Sequence, residues 1–492
     1  MAAPFKDLRL ELIEYKHQAH LWESRYHKSK DIRAEQDLRI KKLEGEISKL
    51  KQKLYGKKSE KSNPKTSKRS SPKNRGQQTN NKQPDRRKFD HLPEKTEVYE
   101  LEKGYSCSSC GKPFQDFGFA EETEILEIEV KPYVRKIIRK KAKKTCQCGG
   151  GSQLMTAPGP QKLIPRCRIG ISIWTELLIS KFHFGQPINR TLNSFAMRKM
   201  DLSQGTITEG LQKMPQLFQP VVDAIQARCL QASFWHADET RWSVFEKVAG
   251  KESTRWYLWL FESADAAMFI LDPTRSTKVI ENFFGNEVSG ILMVDRYSAY
   301  QSYVKRNPNV HLAFCWAHIR REFIDYTKES PEKENWTIDW VERIRQLYEN
   351  RSTAASMERT ITSQLSSGTL CHGQKRLLHI LRDNWTELTR FIQQPELPMD
   401  NNEAERTIRT PVVGRKNFFG SGSIWSAKLS AQCYSIFKTL KMNDVNIHDW
   451  LTKYLEACAE NGGRPPRDIS RFLPWDRAAK TNSPPVHNDK VS

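Results

Sequence analysis

Residues 234–244 read F-W-H-A-D-E-T-R-W-S-V. Aromatic residues at this density predict a strand, yet Asp238, Glu239 and Thr240 stand in its middle. Aspartate is a poor strand former, so two adjacent carboxylates in a strand need a chemical reason. Further along, Gly290 to Tyr300 reads G-I-L-M-V-D-R-Y-S-A-Y, an apolar run ending on Asp295. That is the pattern of a buried strand delivering a carboxylate at its carboxyl end, where open α/β sheets place their sites. A third stretch, Pro398 to Gly422, holds D-N-N-E-A-E-R-T-I-R and then G-R-K-N-F-F-G-S-G. Asp238, Asp295 and Glu405 together form a candidate metal-binding carboxylate triad.

The chain around these stretches has 492 residues, too many for one compact domain. Its formal net charge of +22 points to a polyanionic partner. The 13 Trp and 14 Tyr argue against a mostly disordered basic chain. No apolar run approaches the roughly 18 residues of a membrane span, and no apolar signal core opens the sequence. A cytoplasmic, reducing location is expected, with the ten cysteines as thiols or metal ligands.

Toward the N-terminus, residues 1–55 carry a heptad register. Leu8, Tyr15, Trp22, Leu43 and Leu50 fall on one seam, and Leu12, Ala19, Tyr26, Ile40, Ile47 and Leu54 on the other. A coiled coil making a homodimer or higher oligomer is expected, the alternative being one amphipathic helix packed on its own body. Residues 56–90 read as a disordered basic linker. Residues 91–165 hold Cys107-x-x-Cys110-Gly and Cys146-x-Cys148-Gly, with Glu124–Val130 and Val134–Arg139 read as a hairpin between them. Four thiolates at the ends of a hairpin predict a zinc ribbon with a structural zinc ion, against unliganded thiols.

Residues 166–230 look helical. Helices are expected over 169–184, over 188–200, and from a Ser203 N-cap to about Lys213. Both a helix-turn-helix and a plain three-helix packing module fit this pattern. Residues 231–330 give strands at 233–246, 254–262, 267–272, 290–295 and 310–316, with a helix at 274–284. Three strands, a helix, then a strand ending in Asp is the order of a ribonuclease-H-like sheet. Residues 331–400 are expected to be an inserted helical block, with helices at 336–348 and 375–391. Residues 401–475 complete the core behind an Asn401 or Asn402 N-cap, and 476–492 form a disordered tail. The fold class is therefore multidomain α/β.

Three carboxylates suit phosphodiester chemistry, because hard ions such as Mg²⁺ or Mn²⁺ take oxygen ligands and two of them can activate both attacking and leaving oxygens. On this reading Asp238 bridges, and Asp295 and Glu405 each complete one ion. Glu239 points to the other face of its strand, which gives it a supporting role. Arg406, Arg409, Arg415 and Lys416 are candidate phosphate contacts. So are His318, Arg320 and Arg321, with a second role for His318 beside the carboxylates, or as a helix-start residue, left open. Trp242, Trp316 and Trp425 are candidates for base stacking, although core packing explains each more simply.

Four motifs carry a resemblance: W-H-A-D-E-T-R-W, V-D-R-Y-S-A-Y, C-W-A-H-I-R-R-E-F and D-N-N-E-A-E-R-T-I-R-x-x-x-x-G-R-K-N. Together they resemble the DDE transposases of the insertion-sequence-sixty-six family. The resemblance runs from the N-terminal zipper to about residue 475. It implies a bacterial, nucleoid-associated enzyme that cuts at the ends of its mobile element and joins 3′ hydroxyls to target DNA, with accessory proteins from the same element. The matching positions put its triad at Asp238, Asp295 and Glu405, choosing Glu405 over Glu403. Where the family often shows S-H-E-G-A, this chain has Ser423-Ile-Trp-Ser-Ala427. A catalytically silent DNA-binding repressor and a nuclease that hydrolyses without joining are the competing functions.

Overall fold

The computed structural model describes residues 92–99, 109–113, 125–126, 130–143, 145, 154–247 and 253–476, with single helical positions at 16, 19, 23, 27 and 30. Most of the expected heptad seam lies outside these residues, as do the 56–90 linker, residues 477–492, and Cys107, Cys146 and Cys148. The chain divides into two compact units, residues 1–122 and 123–492. In the first, residues 92–99 are irregular and exposed, and Cys110 is an exposed thiol.

The second unit opens with a short antiparallel hairpin, β1 (Lys141–Lys143) and β2 (Leu154–Thr156). The expected arm at 134–139 is irregular instead. Val134 and Ile138 stay exposed there, so no burial rewards a ladder at that position. Helices α1 (Ile171–Phe182), α2 (Ile188–Ala196) and α3 (Gln204–Leu230) follow. Ser203 stands at the α3 N-cap but makes no side-chain cap bond. The helix does not end near Lys213. It continues through Pro215 and Pro220, because Ile207, Leu211, Met214, Phe218, Val222 and Ile225 form an unbroken buried stripe. That burial, largely against the later helix Ile424–Met442, outweighs the missing proline N–H groups. The N-terminal turn of α3 leaves Gln204, Thr206 and Thr208 exposed.

The central sheet has five strands: β3 (Phe234–Ser243), β4 (Arg255–Glu262), β5 (Ala267–Asp272), β6 (Gly290–Val294) and β7 (Val310–Phe314). Helix α4 (Thr277–Phe284) precedes β6, and α5 (Ser298–Arg306) precedes β7. The spatial order is β5-β4-β3-β6-β7. The pairs β3–β4 and β4–β5 are antiparallel, whereas β3–β6 and β6–β7 are parallel. Every strand expected over residues 231–330 forms, with ends trimmed by a few residues. Trp235, Trp259, Phe261, Phe283 and Phe284 pack as one aromatic cluster under the sheet.

After β7 come α6 (Trp316–Glu329), α7 (Glu334–Glu349), α8 (Ala354–Ser366), α9 (His372–Asp383) and α10 (Trp385–Gln393). The single helix expected over 375–391 is two, because Asn384 turns back and its Nδ2 donates to Ile380 O at 2.7 Å, closing α9. Trp336 and Trp340 both donate through Nε1 to Gln364 Oε1, fixing α7 on α8. The chain returns through α11 (Asn402–Phe418), α12 (Ile424–Met442) and α13 (Ile447–Glu460). Glu403 and Glu405 in the first turn of α11, with Arg415 and Lys416 in its last, match the helix dipole. Trp242 and Trp316 are fully buried and cannot stack on bases; Trp425 is half-buried on α12. Among the described residues no helix is long and apolar enough to cross a membrane.

Candidate functional site

Strand β3 alternates as expected. Trp235, Ala237 and Glu239 share one face; His236 and Asp238 point to the other, where α11 packs. The parallel β3–β6 register pairs Phe234 with Ile291, Trp235 with Leu292 and His236 with Met293. The ladder ends there; Asp238 and Asp295 each follow two residues beyond its last pair, and the charge of Asp295 acts on Asp238. Asp295 leaves β6 in a tight turn, its Oδ1 accepting Tyr297 N at 2.9 Å. Glu405 reaches the same region from the first turn and a half of α11.

Asn401, the α11 N-cap, fixes that approach. It is buried, and its side chain bonds away from its own helix. Asn401 Nδ2 donates to Ala237 O at 2.7 Å, next to Asp238, and Oδ1 pairs with His236 Nδ1 at 2.8 Å. Its backbone N donates to Cys315 Sγ at 3.1 Å, and Trp316 N donates to Met399 O at 3.0 Å. The start of α11 is thereby tied to β3 and to the β7–α6 junction. The far end is tied as well. Ser421 N donates to Ser243 O and Phe245 N to Ser421 O, at 2.8 and 2.9 Å. Only glycine serves at 420, where φ is +144° and a Cβ would lie 2.2 Å from Ser243 O.

An open cleft of about 350 Å³ is lined by Asp238, His318, Arg321, Glu405, Ile408, Arg409 and Val412. Asp295 is not in its lining, but its charge acts on Asp238. Burial, then the charge of Glu239, and then those of Asp295 and Glu405, push the Asp238 carboxyl up to about 8, against a backbone bond from Glu239 N. The three carboxylates do not close on one another as a tight ligand cluster. Glu405 Oε1 is buried without a hydrogen-bond partner. His318 Nε2 and Arg321 Nη2 face Glu405 at 3.7 and 3.8 Å.

Glu239 takes no part in that cleft. It accepts from Arg275 Nε at 2.9 Å and from Tyr300 OH at 2.6 Å. The Arg275 guanidinium lies 3.7 Å over the Tyr297 ring. Sequence reading gave Glu239 a supporting role but missed Arg275, Tyr297 and Tyr300, which brace the Asp295 turn. It also missed Asn401 as a cross-link and Cys315 as its acceptor. Burial pushes the Cys315 thiol up to about 11, although backbone N–H groups of Asn401, His318 and Ala317 act in the opposite direction.

The expected basic residues divide. His318, Arg321 and Arg409 line the cleft. Arg406 is on the opposite face of α11, paired with Glu403 at 2.7 Å. Arg415 approaches Thr240 Oγ1 at 3.4 Å, and Lys416 is exposed. Arg320 is half-buried near Tyr348. Glu403 also meets Lys438 at 3.3 Å, so Glu403 and Glu405 face different sides, as their spacing requires.

The fold and cleft define a mixed α/β protein whose acidic side chains, rimmed by arginines, sit at the carboxyl end of a parallel strand pair. The profile of the Transposase IS66 family matches residues 166–429, more than half of the sequence, and the chain belongs to that family. Among similar proteins, "Uncharacterized protein y4qI" of Sinorhizobium fredii (strain NBRC 101917 / NGR234) is 25% identical over 418 residues, covering 78% of this chain and 76% of the relative. "Uncharacterized protein y4jD" of the same strain is 24% identical over 426 residues, covering 78% and 80%.

Proposed function

We propose that this protein is a DDE-type DNA strand transferase that cuts its element's ends and joins the 3′ hydroxyls to target DNA. What supports the reading is that Asp238 and Glu405 line one cleft together with His318, Arg321 and Arg409, and that the charge of Asp295 acts on Asp238. The sheet order, antiparallel β5-β4-β3 then parallel β3-β6-β7, supports a ribonuclease-H-like core with the α7–α10 block inserted before the third carboxylate.

Asp238, Asp295 and Glu405 would hold Mg²⁺ or Mn²⁺, and the fit is chemical: all are oxygen donors, Glu405 Oε1 is orphaned, and Asp238 is held neutral by burial first and then by its negative neighbours. When bound, such ions activate an attacking oxygen and stabilise the leaving one. The chain's own contributions are distinct. Asn401 positions Glu405 against β3. Glu239, Arg275 and Tyr300 hold the Asp295 turn. His318, Arg321 and Arg409 supply positive charge for the DNA backbone along the cleft, with Lys416 and Arg415 continuing it, while Arg320 and Arg406 act from outside it.

DNA is the partner, gathered also by the exposed polar turn of α3 and by the basic residues of 56–90. The N-terminal heptads make a homodimer or higher oligomer, and Cys107, Cys110, Cys146 and Cys148 hold a structural zinc. Accessory proteins of the element take part in the cytoplasm. The test is a strand-transfer assay with pre-cleaved element ends. Joined product must require Mg²⁺ or Mn²⁺ and vanish in Asp238→Ala and Asp295→Ala while end binding persists. Binding without metal-dependent cutting would instead make the chain a repressor, and cutting without joined product a nuclease.

A further inference from the structure

Cys315, His318 and Glu405 bring a thiol, an imidazole and a carboxylate together, with one ligand atom of each lying within 4.8 Å of the others. Cys315 is the N-cap of α6, and His318 sits three positions on, so both project from the same end of that helix. Glu405 meets them from α11, which the Asn401 bond to Cys315 holds in place. Two atoms of the group are stranded. His318 Nδ1 and Glu405 Oε1 are both buried with no hydrogen-bond partner, and the separation of His318 Nε2 from Glu405, 3.7 Å, is too long for one. Orphaned buried polar atoms in a native fold require an explanation.

We infer that Cys315, His318 and Glu405 form a site for a zinc-class cation, distinct from the proposed hard-cation site but sharing Glu405 with it. The donor set decides the ion. Thiolate and imidazole select zinc and similar borderline metals, whereas magnesium takes oxygen ligands and does not favour sulfur. Binding replaces the Cys315 S–H bond with a sulfur–metal bond and releases that proton to solvent. Backbone N–H groups around the sulfur then stabilise the thiolate. Three protein ligands leave a fourth position open, and the cleft beside Asp238 is where a water or phosphate oxygen would take it. Capping alone does not explain the cysteine, since serine is the better N-cap.

Because Glu405 cannot serve both cations fully, zinc occupancy competes with hard-cation occupancy. That consequence rests on the proposed strand-transferase reading; the zinc site does not.

The test uses the full chain without DNA, dialysed to equilibrium against micromolar zinc. About two equivalents are expected per chain, one of them in the proposed four-cysteine ribbon. Cys315→Ser, which keeps an N-cap oxygen, and His318→Gln should each lose about one equivalent with unchanged circular dichroism, whereas Cys107→Ser should lose the other. Cobalt substitution gives a second readout. Its sulfur-to-cobalt charge-transfer band should weaken in Cys315→Ser. Zinc content and cobalt spectrum unchanged in both Cys315→Ser and His318→Gln overturn the site. In Mg²⁺-supported nicking, added zinc should slow the wild-type protein. A protein that binds this zinc but never nicks DNA refutes the strand-transferase reading and leaves the zinc site standing.

Discussion

Replacing Asp238 by asparagine should make the protein more stable, and only at higher pH. Burial and three neighbouring carboxylates push the Asp238 carboxyl from an ordinary 3.8 to about 8. A displacement of about four pH units corresponds to about 5 kcal/mol between the two protonation states. The sign follows from proton binding. Between about pH 4 and pH 8 the folded chain holds a proton on Asp238 that the unfolded chain has released, so stability falls as pH rises through that window and is constant above it. Asparagine keeps the shape and the acceptor oxygen but carries no charge. Side-chain relaxation absorbs part of the penalty in the wild type, so about 2–4 kcal/mol of stabilisation is expected for Asp238→Asn at about pH 9 and little at about pH 4. Urea denaturation at both pH values measures it. Mg²⁺ should recover much of the same stability in the wild type and none in the variant, since a ligand of the native state alone stabilises it. A gain equal at both pH values, or a loss at pH 9, would refute the idea that burial and negative neighbours keep Asp238 protonated.

Other outcomes follow from the same geometry. Asn401→Ala should destabilise the chain by about 2–4 kcal/mol, because it strands the buried Ala237 carbonyl and the His236 ring; denaturant midpoints check it, and an unchanged midpoint would mean the cross-link is idle. Gly420→Ala, forced against Ser243 O at a positive φ, should cost more than about 1 kcal/mol and expose Trp242, seen as a red shift of its fluorescence. Arg409→Ala should lower the slope of log binding constant against log salt by about one unit if it contacts a phosphate; an unchanged slope excludes that contact. Glu239→Gln, still able to accept from Tyr300 but no longer charged against Arg275, should slow Mg²⁺-dependent nicking without altering DNA affinity.

The strands and the two aspartates were legible because alternation and a terminal carboxylate leave a period-2 mark in the sequence. Glu405 was legible only through its motif, since Glu403 sits in the same helical turn and periodicity alone does not choose. What sequence hid was contact at long range. Asn401 reads as an ordinary cap, yet its amide serves a strand more than a hundred residues earlier, and Cys315 reads as the end of an apolar run. Side-chain bonds to distant backbone have no sequence period. The length of α3 was hidden for the opposite reason: Pro215 and Pro220 are strong local stop signals, overridden by a buried stripe whose partner, α12, lies far along the chain. Val134–Ile138 has strand composition but no surface to cover it, so composition alone misled.

Helix α11 behaves as a beam anchored at both supports, Asn401 holding one end to residue 237 and Ser421 the other to residues 243–245. A force applied at Arg415 or Lys416 therefore does not withdraw Glu405 by itself. It must tilt the beam and strand β3 together, carrying Asp238 along. Any displacement of Glu405 relative to Asp295 is accordingly a displacement of α11 and β3 together against the strand that ends at Asp295.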